Sequence, residues 1–334
     1  MKAGVLYGPR DMRVEELPVP GTSGDEILVR MEACGICGSD LHLYRTGGFE
    51  DMGAPMGEGR IMGHEFGGEV MVVGEKVEGV KVGDRVAALA MGGFAEMVLI
   101  PKAVVGRNVF HLPEEMSYRE AATLEPLAAS VHTVAVANPA PGDTVVILGA
   151  GIIGLSCIQV LKAKHHCRII VTDFSEKRLG LARRFGADDV IPAEGRDTVE
   201  DVLGLVGEQH PAFLGFGLRS GKGDTVIDCA GSASSTAQAL RMVRRDTGKV
   251  VLVALFERES TLDLNYITRK EIRVKGSWGW SPEEFGQALE MVARGAVDRI
   301  PLISHRFPLE KIRDAFEAQT EPQGSVKVLV ESAR

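Results

Sequence analysis

One stretch limits the fold more than any other. A short β-branched run, Thr144–Leu148, is followed at once by Gly149-Ala150-Gly151-Ile152-Ile153-Gly154 and then by a helical pattern to about Ala163. Strand, glycine-rich turn and helix in that order build the first unit of a parallel, doubly wound sheet. Gly149 makes the turn, Gly151 lets backbone N–H groups approach a pyrophosphate, and Gly154 lets helix and strand pack closely. Ile152 and Ile153 open the helix whose N-terminus faces the anion. Asp173 closes the next strand, close to the spacing of the acid that hydrogen-bonds an adenosine ribose. A carboxylate there repels a 2′-phosphate, so NAD is expected over NADP. Arg178 is either a second contact to the ribose edge or a solvated helix residue. The plainer alternative makes the glycines turns alone and Asp173 a strand-end cap.

Apolar runs at Arg168–Thr172, Val190–Ile191, Thr225–Cys229 and Val250–Leu255 alternate with helical patterns, the first opened by Ser175. This predicts a Rossmann-type sheet over residues 139–277, entered through the breaker cluster Asn138-Pro139-Ala140-Pro141-Gly142-Asp143. Residues 1–138 read differently. Val-rich runs at Glu26–Arg30, Glu69–Val73 and Arg85–Leu89, separated by Gly, Pro and Asp, predict an irregular β-rich domain. From about Trp278 the pattern gives a helix Pro282–Ala293 capped by Ser281, a helix near Leu309–Ala318 and a strand at Val326–Glu331. With 334 residues, two domains are the default.

A net charge of −8 without a long basic run argues against nucleic acid and anionic membrane as partners. No apolar stretch is long enough for a membrane span, and the N-terminal segment has no signal-like apolar block. The five cysteines, at 34, 37, 157, 167 and 229, do not form a disulfide framework, so a cytoplasmic, reducing compartment is expected.

Cys37, followed by Gly38-Ser39-Asp40-Leu41-His42, and His64-Glu65, within Gly63–Glu69, have the residue types of a catalytic zinc site. Taken alone they are equally a buried thiol and a satisfied histidine, and Cys34 with Cys37 spells a C-x-x-C that a redox pair would use. Together with Val82–Val86, Gly92–Glu96, the Rossmann stretch and Pro301–Leu309, however, the chain resembles the zinc-dependent medium-chain dehydrogenase/reductase family, the alcohol, sorbitol, butanediol and threonine dehydrogenases. The resemblance covers nearly the whole chain. It implies a GroES-like catalytic domain, residues 1–138 and 278–334, around the Rossmann domain.

By this resemblance Cys37 and His64 are zinc ligands, Glu65 is a direct or alternative ligand, and Cys34 is not one. Glu125 stands where typical alcohol dehydrogenases have a third ligand, a cysteine, and reaches the metal directly or through water. The four-cysteine lobe that holds a structural zinc in many relatives is missing between Val86 and Gly92, so one catalytic zinc and no structural zinc is expected. The implied chemistry is oxidation of an alcohol to a ketone: zinc lowers the pKa of the substrate hydroxyl, and hydride passes to NAD. Ser39 takes the proton and relays it through the cofactor ribose to His42, and Asp40 orients His64. Their blander readings are a turn hydroxyl, a surface histidine and a backbone cap. A carboxylate in place of a thiolate suits a hydroxyl-rich substrate, a polyol, sugar derivative or vicinal diol. The segment Gly47–Arg60 either covers the substrate cleft or is a solvent loop, and residues His210–Gly223 are an insertion without an assigned role. A zinc-free reductase of the same superfamily and an inactive NAD-binding module are the competing readings. A homodimer or homotetramer is expected, pairing around Ile272–Val274.

Overall fold

The computed structural model describes residues 1–48, 59–209, 218–256 and 259–332. Most of the segment Gly47–Arg60 and much of the insertion His210–Gly223 thus lie outside the described residues. The chain divides into two compact units, Met1–Ala128 with Ser281–Arg334, and Ala129–Trp280. The first changeover falls inside the helix Leu124–Ala137.

The first unit is organised by the strand Ile27–Gly35. It pairs antiparallel with Glu65–Val73 on one side and with Lys327–Glu331 on the other, and Met97–Ile100 also joins it. Ile27, Leu28, Val29, Met31, Ala33 and Cys34 are all buried, so the strand is covered on both faces rather than alternating in and out. Its register sets Gly35 between Glu65 and Leu329. The sheet continues through Arg85–Ala88 to Val109–His111, and its other edge is Ile303–Pro308, parallel to Lys327–Glu331. A smaller sheet joins Lys2–Gly8 to Asp11–Glu16 and Arg60–Ile61.

The helix Ile312–Thr320 buries Ile312, Ala315 and Phe316, the spacing of one helical face. Phe316 lies 4.9 Å from Tyr44 and 5.4 Å from Phe94, ring centre to ring centre, in the main core of this unit. Each such ring or aliphatic chain taken from water contributes about 1.5–3 kcal/mol. The helix Pro282–Ala293 starts as its sequence predicts. Ser281 Oγ accepts from Glu284 N, and Glu284 Oε2 accepts from Ser281 N at 2.7 Å. The helix Gly38–Thr46 was not legible as one, because its residues mix apolar and polar types with little periodicity.

The second unit contains six parallel strands in the order Asp189–Pro192, Arg168–Asp173, Thr144–Leu148, Thr225–Asp228, Lys249–Leu252 and Arg273–Gly276. In chain order this is 3-2-1-4-5-6, with the reversal between Thr144–Leu148 and Thr225–Asp228. Ligands of such sheets bind outside the carboxyl ends of the strands at that reversal. There Gly149 adopts φ +92°, which favours glycine. The helix Glu176–Arg184 begins at Ser175, whose hydroxyl accepts from Arg178 N. Lys270, fully buried, donates to the carbonyls of Leu240 at 2.5 Å and Val243 at 2.6 Å, at the C-terminus of the helix Ala233–Met242. No helix among the described residues is long and apolar enough to cross a membrane.

Candidate active site

In the first unit the sheet ends and one helix start converge on a group of ionisable side chains. Cys37 sits between the strand Ile27–Gly35 and the helix Gly38–Thr46. His64 directly precedes the strand Glu65–Val73. Asp40 ties these two segments together. Its fully buried carboxylate accepts from Cys37 N at 3.0 Å and from Gly63 N at 3.4 Å, and its Oδ1 lies 3.8 Å from His64 Nδ1. That last separation is an electrostatic contact rather than a hydrogen bond. Gly63 itself has φ +89°, and a Cβ there would stand 2.9 Å from Cys34 Sγ. The backbone that presents His64 therefore requires glycine.

Cys37, His64 and Glu65 place one potential ligand atom each within 4.8 Å of one another. Glu65 is only 1% exposed; its Oε2 accepts from Lys327 Nζ at 2.6 Å, and Lys327 also donates to Ile36 O at 2.8 Å. Gly35 makes room for this carboxylate, since a Cβ at that position would lie 2.3 Å from Glu65 Oε2. Glu65 Oε1 and His64 Nδ1 are buried without a hydrogen-bond partner. Such orphaned polar atoms cost free energy unless something polar meets them.

The electrostatics of the trio agree with a site for a cation. Burial pushes the Cys37 thiol up, and the Glu65 charge adds to this, against the opposing pull of His64. Burial likewise raises Asp40 above the usual carboxylate range. Burial opposes a charged His64, but its hydrogen bond with Cys37 and the charges of Asp40, Cys37 and Glu65 outweigh that and push it up to about 11. These anionic groups thus hold a proton on imidazole in a place that a cation would fill. Sulfur, imidazole and carboxylate are the donors that zinc takes, and three protein ligands leave one position for a small molecule. The donor set and the orphaned Glu65 oxygen fit a zinc ion held by Cys37, His64 and Glu65.

Glu125, in the first turn of the helix Leu124–Ala137, is half-buried and is not one of that trio, although its charge acts on both Cys37 and Lys327. Ser39 and His42 are both half-buried on the helix Gly38–Thr46, three residues apart and so on one face. Lys327, Gly35 and Arg299 were not found by sequence reasoning. A lysine opening an otherwise apolar strand was the available signal for the first; Arg299 lies in no motif. Arg299 is 1% exposed and donates from Nε to Thr123 Oγ1 at 3.1 Å and from Nη2 to Thr123 O at 3.3 Å.

In the second unit the Gly149–Gly154 loop has the predicted local design. A Cβ on Gly154 would stand 2.0 Å from Gly149 O, whereas one on Gly151 meets nothing within 4 Å. Gly154 is thus required by packing, and Gly151 leaves its backbone open. Gly151 caps the helix Ile152–Lys164, opened by Ile152 and Ile153. Asp173 is nearly buried; Oδ2 accepts from Ala150 N and Oδ1 from Ser175 N, both at 2.7 Å, with Arg178 Nη1 3.9 Å from Oδ2. Its carboxylate therefore shapes the glycine loop itself, and each oxygen keeps a lone pair for a further donor.

Residues 23–114 match the family model of the alcohol dehydrogenase GroES-like domain, and residues 153–294 that of the zinc-binding dehydrogenases. Sorbitol dehydrogenase of Bacillus subtilis (strain 168) is 32% identical, over 95% of this chain and 93% of its own. Among solved structures, 2R,3R-butanediol dehydrogenase from Bacillus subtilis superposes with a TM-score of 0.83 at 28% identity, covering 99% of both chains. An alcohol dehydrogenase from E. coli CFT073, complexed with NADH, gives a TM-score of 0.83 at 27% identity, covering 99% of both chains.

Proposed function

Because this chain belongs to the zinc-dependent medium-chain dehydrogenase family, we propose that it oxidises a secondary alcohol with neighbouring hydroxyls by hydride transfer to NAD, using one zinc ion per chain. The substrate is a polyol, a sugar derivative or a vicinal diol. The observation that carries this reading is the trio Cys37, His64 and Glu65, with a buried carboxylate oxygen that has no partner. Likeness to sorbitol and butanediol dehydrogenases supports the hydroxyl-rich substrate. Residues 1–138 and 278–334 form the catalytic part in this reading, and 139–277 the NAD-binding part.

Zinc, when bound, supplies Lewis acidity that eases loss of the substrate hydroxyl proton, and the nicotinamide accepts the hydride. The chain's residues do the rest. Asp40 fixes the Cys37 and Gly63 backbones and faces His64, so two ligands keep their separation. Lys327 holds one Glu65 oxygen and leaves the other toward the trio. Ser39 would take up the proton that oxidation releases and relay it, through the ribose of a bound cofactor, to His42 on the same helical face. Gly151, Ile152 and Ile153 present backbone N–H groups to the pyrophosphate, while Gly149, whose own N–H is taken by Thr172 O at 2.8 Å, makes the turn and Gly154 lets helix and strand pack. Asp173 accepts from the ribose hydroxyls, with Arg178 beside it, and its charge disfavours a 2′-phosphate. Glu125 adds a carboxylate to the metal directly or through water.

Metal analysis and NAD reduction across sugar alcohols, vicinal diols, threonine and simple alcohols test this reading. One zinc per chain and turnover of a hydroxyl-rich substrate are expected. Turnover that survives complete removal of zinc, or a chain that reduces NAD with no alcohol, overturns it.

A further inference from the structure

Arg299 is the largest fully buried side chain among the described residues, and burial draws its guanidinium down to about 9. It thus stays charged at neutral pH. A buried charge of this kind is costly unless its hydrogen bonds and counter-charges are in place. Two of its donors are spent on one residue, Thr123, through both hydroxyl and carbonyl. Thr123 immediately precedes the helix Leu124–Ala137 and lies two residues before Glu125. The guanidinium charge also acts on Glu65, the carboxylate of the metal trio. A planar fork that grips backbone and side chain of one residue fixes its orientation, which a lysine could not do.

We propose that Arg299 is a positioning residue of the metal site: by clamping Thr123 it sets the direction of the first turn that carries Glu125, and so where the Glu125 carboxylate stands relative to Cys37, His64 and Glu65. Arg299 touches neither substrate nor cofactor in this role. It acts through Thr123 and Glu125, and it balances part of the negative charge that Glu65 and Asp298 bring into the protein. The inference rests on Glu125 being a metal-site carboxylate.

The test uses the full chain loaded with Co²⁺ in place of zinc, because the visible absorption of cobalt reports the identity and geometry of its ligands. Arg299→Met is expected to shift that spectrum and to weaken zinc binding, measured by chelator competition, by about tenfold, the lower end for loss of a group supporting a ligand. Thr123→Val, which removes the hydroxyl that accepts from Arg299 and donates to Glu120 O at 2.8 Å, shifts the spectrum in the same direction by less. In the Glu125→Gln background the Arg299→Met substitution produces no further shift. A purely structural role would lower stability and leave the spectrum alone. An unchanged cobalt spectrum in folded Arg299→Met, or the same shift with and without Glu125, overturns the inference. If Arg299→Met does not fold, Thr123→Val decides alone: a shift supports the clamp and no shift ends it. A wild-type chain that takes up neither cobalt nor zinc brings down the functional reading together with the clamp, whereas a metal-loaded chain indifferent to Arg299 brings down the clamp only.

Discussion

At the level of single residues, Glu65 shows how one position is fixed by several unrelated requirements. Its strand register sets it opposite Gly35, Lys327 takes one oxygen, and the other is left without a partner. Gly35→Ala would put a Cβ 2.3 Å from that carboxylate and 2.8 Å from Ala122 O. Backbone cannot give way as a flexible side chain can, so the substitution is expected to cost about 1–3 kcal/mol. Denaturant unfolding measures this, and zinc retention should fall with it. A second expectation concerns pH. Without metal, the Cys37–His64 pair holds at least one proton at neutral pH, since the surrounding anions push His64 up to about 11. Zinc takes neutral imidazole and thiolate, so binding releases that proton. Affinity should therefore rise with pH, by about tenfold or more per unit between pH 6 and 8. Chelator titrations that give a flat profile across that window would show that these two residues do not bind the ion.

At the level of elements, the sequence was most legible where strand, turn and helix lie next to each other in the chain. The Gly149–Gly154 loop, Ser175, and Ser281 with Pro282 each act over a few residues, so spacing alone located them. Cys37, His64 and Glu65 were legible through motifs of the same short kind. Lys327, Gly35 and Arg299 were not, because their roles depend on sheet register and on partners 262 or 176 residues away. The helix Leu124–Ala137 was missed because it is apolar almost all round and shows no polar face. Lys270 belongs with these long-range features. The last carbonyls of a helix need donors, and Lys270 supplies Leu240 and Val243 with theirs. Lys270→Met leaves buried acceptors unmet and should lower stability by about 1–3 kcal/mol, read from the shift in a denaturation midpoint. An unchanged midpoint would mean that other donors take over.

At the level of the whole chain, two units with separate cores make different parts of the molecule respond to different ligands. A ligand that binds only the folded form stabilises it, by about 2.7 kcal/mol at a hundred times its Kd. Hydrogen exchange should therefore separate the two sites. NADH is expected to slow exchange at Gly149–Gly154 and around Asp173, and zinc removal to speed it at residues 34–40, at 63–66 and at Lys327. Protection by NADH confined to the first unit would contradict the assignment of the cofactor. The strand Arg273–Gly276 forms one border of the six-stranded sheet, with Trp278 two-thirds exposed just beyond it. We expect two copies to join along this border. Sedimentation of the intact protein should give a dimer or tetramer, and a monomer at micromolar concentration would refute the pairing.

The partner of Glu65 has a consequence for biosynthesis. Lys327 follows Glu65 by 262 residues and is made only after the entire second unit has been translated. Until then a nascent chain exposes a thiol, an imidazole and an uncompensated carboxylate that cannot yet adopt their final arrangement. Vectorial folding would thus delay secure capture of a metal ion until Lys327 has emerged, and a polypeptide cut short before it would carry the recognisable motifs yet hold a metal poorly.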